Sequence, residues 1–134
     1  EQDAVSGLPR FNMPLELGMF LGAKRFGEDR QRKKTCLILD KAPYRYQQFI
    51  SDIAGQDIQS HNGQESNAIA VVRNWLRNVS GRRTIPGGKT IINRYDLFKT
   101  ELPVLCKKLK LEIDEMIFND YTAIVYEWLS RNPY

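Results

Sequence analysis

The run Thr35-Cys36-Leu37-Ile38-Leu39-Asp40 constrains the fold most, because it is a short continuous apolar stretch set between lysines and Lys41-Ala42-Pro43. Uninterrupted runs of this length mark a strand buried on both faces, as in a parallel sheet, rather than an alternating half-exposed strand. The pattern around it is helical. A helix is predicted over 13–26 and ended by Gly27, and another from Tyr44 to about Ile53, broken by Gly55. A long amphipathic helix follows over 64–78, with Ile69, Val72, Trp75, Leu76 and Val79 on its apolar side and Gly81 at its end. Two more run over 89–109 and 119–130, and Pro103 should start, kink or divide the first of these. Asp57-Ile58-Gln59-Ser60 suits a second, more exposed strand leading to His61-Asn62-Gly63. The alternation argues α/β. A single buried strand is not a sheet, so the first strands are expected upstream of Glu1 or from another polypeptide. The expected organisation is one α/β domain over 1–134, incomplete at its N-terminus, with 89–134 as a C-terminal helical extension.

A chain of 134 residues, 42% hydrophobic and 27% charged, has the composition of an ordinary globular domain. Its apolar runs are broken by charge well short of the ~20 residues needed to span a bilayer, and its start has no signal-peptide pattern. A cytoplasmic location without a membrane partner is expected. Cys36 and Cys106 are the two cysteines, neither in a metal-ligand spacing, and they read as buried free thiols of a reducing compartment. The single histidine, His61, argues against a His-based metal site or a Ser-His-Asp triad, so no metal is expected. The net charge of +4 owes much to Lys24, Arg25, Arg30, Arg32, Lys33 and Lys34 around one loop. Such a loop is ordinarily a solvated face. It also attracts phosphates, yet without an aromatic-interleaved basic stripe no nucleic-acid partner is expected; Tyr44-Arg45-Tyr46 comes nearest, and packing explains it equally well.

The segment Asn12 to Ala23 places one carboxylate, Glu16, in an apolar, glycine-punctuated helix start. Asn12 suits an N-cap and Pro14 the first turn, while Gly18 and Gly22, one turn apart, would let one face press against a neighbouring backbone. A period of 3.6 sets Glu16 on the face of Met13, Phe20 and Ala23. Either the carboxylate serves the helix dipole and a capping box, or it is partly desolvated and works as a nucleophile or charge stabiliser in a cleft. Asp40 ends the buried strand, where open α/β sheets place ligand contacts; it suits a ribose hydroxyl and equally a cap on the next turn. Asn12 suits substrate or Glu16 support as well as capping. Asp52, Asp57 and His61 form the remaining polar group, with His61 read as a turn residue beside Asn62-Gly63. Gly87-Gly88-Lys89-Thr90 looks like the end of a P-loop but lacks the first glycine and the preceding strand.

The segment Arg10-Phe11-Asn12-Met13-Pro14-Leu15-Glu16-Leu17-Gly18-Met19-Phe20-Leu21-Gly22, followed by the basic loop and Cys36-Leu37-Ile38-Leu39-Asp40, resembles the TIR-like predicted nucleotide-binding proteins of bacteria. In these an asparagine precedes a FELGLFLG-like helix, and an LVL-type strand comes next; Leu15 stands where the pattern has phenylalanine. Residues 49–58 and the stretch from Asp120-Tyr121 to Trp128-Leu129 look like parts of one branch of such proteins. The resemblance implies a flavodoxin-like (TIR-like) open parallel sheet, of which this chain is the helix-rich part, with a nucleotide at the carboxyl ends of the strands. It also implies that Glu16 matches the glutamate that assists N-glycosidic cleavage in TIR NAD hydrolases and the similar nucleoside deoxyribosyltransferases, with Asn12 and Asp40 as nucleotide-binding candidates. Breaking a ribosyl C–N bond develops oxocarbenium charge, which a fixed carboxylate stabilises or attacks. NAD or a related nucleotide is then substrate or ligand, with no separate cofactor, in a homo-oligomer of bacterial antiviral defence. The alternative is a non-enzymatic nucleotide-sensing or oligomerising module.

Overall fold

The computed structural model describes residues 12–48, Ile53, Gln56 and 58–133. Among them the order is α1 (Asn12–Phe26), α2 (Asp29–Arg32), β1 (Ile38–Asp40), β2 (Ile58–Ser60), α3 (Glu65–Ser80), α4 (Gly88–Lys108) and α5 (Phe118–Arg131), with 3-10 turns at Arg45–Gln48 and Ile113–Glu115. The chain divides into two units, Glu1–Trp75 and Leu76–Tyr134, the division falling within α3.

In the amino-terminal unit β1 and β2 pair in parallel, Ile38 against Ile58, Leu39 against Gln59 and Asp40 against Ser60. The fold is therefore mixed α/β with a small open parallel sheet, two-stranded among the described residues. β1 covers only the last half of the expected strand, and Leu39 on it is exposed. Burial on both faces is thus not realised, because a three-residue pair offers too little ladder to order Thr35 to Leu37 as strand; Cys36 is half-buried rather than buried. The helix expected over 44–53 begins as the 3-10 turn Arg45–Gln48, and most of its remainder lies outside the described residues. α1 packs chiefly on the short α2 that follows it. A Cβ added at Gly18 or Gly22 would meet nothing within 4 Å, so the close seam expected there is not formed with any described residue.

α3 ends where Gly81 takes φ +63°, and Arg77 donates to the carbonyls of Gly81 (3.3 Å) and Arg82 (2.8 Å), covering acceptors at the helix end. α4 runs unbroken through Pro103. The proline removes one intrahelical bond, but Leu102, Leu105 and Cys106 around it all join the core, and this packing holds the helix across the break. That core, in the carboxy-terminal unit, consists of buried Phe98, Cys106, Ile124 and Trp128. Phe98 meets Trp128 and Tyr121 edge-on at centroid distances of 5.4 and 5.9 Å. Trp128 Nε1 donates to Glu101 Oε2 at 2.7 Å, and the Arg94 guanidinium lies 5.3 Å from the indole centroid.

Two caps bound the α4–α5 connection. Leu111 N–H donates to Cys106 O (3.0 Å) and Lys110 N–H to Lys107 O (3.1 Å), a Schellman motif with Lys110 at φ +56° where glycine is usual. Asp120, in the first turn of α5, accepts the Ile117 backbone N–H at 3.2 Å.

Candidate functional site

The carboxyl edge of the parallel pair is where the amino-terminal unit gathers polar groups. The ladder extends one step past Ser60, since His61 N–H donates to Asp40 O at 3.0 Å. The chain then turns through Asn62 (φ +54°) and Gly63 (φ +72°), closed by Gln64 N–H to His61 O at 2.9 Å. Two successive positive φ angles inside such a bond describe a type I′ turn, for which Asn-Gly is the preferred pair. Gln64 O accepts from Ala68 N–H at 3.1 Å to open α3, and Asn67 Nδ2 donates to Gln64 Oε1 at 2.9 Å. His61 is therefore the turn residue expected, held by its backbone.

On the β1 side Asp40 Oδ1 accepts the Lys41 N–H at 2.7 Å and pairs with Arg45 Nε at 3.4 Å, both side chains only 16% exposed. Between them Ala42 to Arg45 form a turn, with Arg45 N–H donating to Ala42 O at 3.4 Å and Tyr44 at φ +59°. Proline at the second position and a positive φ at the third are the marks of a type II turn, whose third position calls for glycine or asparagine. Tyrosine there costs about 1–2 kcal/mol of backbone strain. The two loops meet: a Cβ on Gly63 would lie 3.6 Å from Lys41 Cε, so the lysine stem crosses the β2–α3 turn. One edge thus assembles a carboxylate, two cations and a tight backbone turn.

The sequence candidates separate. Asp40 stands at this edge and also serves as the turn acceptor that was the other expectation for it. Glu16 does not lie in a desolvated setting: it is exposed, as are Met13 and Ala23 on its face, with Phe20 half-buried. Because α1 begins at Asn12, Glu16 falls beyond the first turn, which holds no acidic residue, and so outside the reach of a capping box. Asn12 opens α1, but its side chain, like Asp52 and Asp57, lies outside the described residues. The edge adds Lys41, read in the sequence only as a flank of the strand, and Tyr44 and Arg45, which sequence reasoning left to packing; the signal was Pro43, which turns the chain three residues after Asp40. Gly88 of the Gly-Gly-Lys-Thr run begins α4, and the element before it is the helix α3 rather than a strand.

Among the described residues no three His, Cys, Asp or Glu side chains gather in a way that would hold a metal ion, and no described helix is long and apolar enough to cross a membrane. No protein-family model matches this chain, and neither a curated protein nor a solved structure matches it significantly.

Proposed function

We propose that the amino-terminal unit binds a nucleotide at the carboxyl edge of the parallel pair, and that the chain is a TIR-like protein cleaving the N-glycosidic bond of NAD or a related nucleotide. The observation that carries this reading is the joint at Asp40: a carboxylate at a parallel strand end, tied to Arg45, beside a lysine laid over an Asn-Gly turn. Open parallel sheets bind ligands outside their carboxyl ends. There Asp40 Oδ2 would accept a ribose hydroxyl, while Lys41 would draw a phosphate. Glu16 would stabilise the oxocarbenium charge as the base departs.

In this reading the two strands belong to a larger flavodoxin-like sheet whose other strands lie outside the described residues, and α1 lies under that sheet. Its support is that α1 carries apolar residues on more than one side, Met13, Leu15, Met19 and Phe26 among them, yet exposes them, with Met19 68% and Phe26 85% accessible. A helix of that kind is ordinarily covered. Covering α1 would also desolvate Glu16.

The second reading, a nucleotide sensor or oligomerising module without chemistry, is favoured by Glu16 itself, which makes no hydrogen bond or ion pair with a described residue. A catalytic carboxylate is normally oriented by such a partner. Chromatographic detection of base release from NAD and from nucleosides, with wild type and Glu16→Gln, separates the two. The enzymatic reading expects release that the variant loses while still binding nucleotide. Binding without release in the wild type would establish the sensor.

A further inference from the structure

We propose that Tyr44 is the base-stacking residue of the carboxyl-edge site, an inference that rests on the nucleotide reading above and gives it a specificity determinant. Tyr44 occupies the position of a type II turn that calls for glycine, at φ +59°. Its ring is not held there by packing, since the residue is 72% exposed. The strain is imposed by the surroundings instead. The turn closes through Arg45 N–H to Ala42 O, the Tyr44 carbonyl accepts Gln47 N–H at 3.1 Å, and Arg45 is pinned on Asp40 at 3.4 Å.

A strained backbone that presents an unburied ring contributes nothing evident to stability, and strain of this kind clusters at ligand-binding positions. The turn holds the ring four residues from the strand-end carboxylate. Asp40 offers an acceptor for ribose hydroxyls, and the exposed tyrosine on the turn that follows it offers what a nucleobase recognises, a π surface for stacking. The site therefore takes base and sugar together, in preference to a sugar phosphate alone.

Titration calorimetry with AMP and with ribose 5-phosphate, on wild type, Tyr44→Phe and Tyr44→Gly, tests this, with melting temperatures beside it. Wild type and Tyr44→Phe should bind AMP alike. Tyr44→Gly should bind AMP about tenfold or more weakly, keep the wild-type affinity for ribose 5-phosphate, and melt no lower than wild type because glycine suits the turn. Equal AMP affinity in all three, equal loss of both ligands in Tyr44→Gly, or a lower melting temperature would make the ring structural and overturn the inference while leaving the nucleotide reading intact. A wild type that binds neither probe overturns both.

Discussion

The carboxy-terminal unit gathers buried apolar residues into a core, whereas Ile53 is the one buried residue described in the amino-terminal unit; both leave large apolar side chains exposed, Met19 and Phe26 in the amino-terminal unit and Phe118 and Tyr126 in the carboxy-terminal one. In the first, α4 and α5 bury Phe98, Cys106, Ile124 and Trp128 against one another, and even the indole nitrogen has an acceptor in Glu101. In the second, a two-stranded parallel pair and the apolar α1 leave Leu39, Leu15, Met19 and Phe26 exposed. The unit with the open sheet holds the carboxylate, the cations and the strained turn. The buried core and the candidate chemistry thus lie in different units.

The largest effect that would break this comparison is at Trp128. Trp128→Ala should cost about 3–5 kcal/mol, read by urea unfolding, with hydrogen exchange placing the loss in α4 and α5. A loss below about 1 kcal/mol would mean that the core is not where the structure puts it. Glu101→Ala should cost about 1.5–3 kcal/mol by orphaning the indole N–H against a charged acceptor, and Glu101→Gln less, since it keeps an acceptor.

Gly18→Ala and Gly22→Ala sharpen the other side. With open space around both, each should stabilise α1 by about 1 kcal/mol through helix propensity, seen as a higher melting temperature. If α1 works under a covering sheet, the same pair of substitutions should lower base release from NAD; unchanged release would remove the close approach from the account. An effect of the same size is expected of Lys110→Gly, which should add about 1 kcal/mol by relieving a left-handed residue in the Schellman motif. No gain in the urea midpoint would show that the turn carries no such strain.

Helices with a strong apolar stripe and a glycine stop were legible: α3 ends at Gly81 as its pattern requires, and Cys106 is buried as expected from its place on α4. Continuity through Pro103 was not, because packing on both sides of the proline outweighs a local rule. The Schellman turn carries lysine rather than glycine, so composition gave no sign of it. At the candidate site the strand end at Asp40 was visible, since a buried run followed by Lys-Ala-Pro has few other uses. The Asp40–Arg45 pair and the left-handed Tyr44 were not: Pro43 suits the second position of a type II turn, but tyrosine is not the residue its third position calls for. The setting of Glu16 was not legible: periodicity tells which residues share its face, but whether that face is covered depends on neighbours outside the described residues.

The most direct test of the division between the units is an amide chemical-shift titration of the chain with AMP. The account predicts shifts concentrated at Asp40 to Arg45 and Ser60 to Gln64, with the amides of α4 and α5 unmoved. Shifts confined to α4 and α5, or none at millimolar AMP, would contradict it.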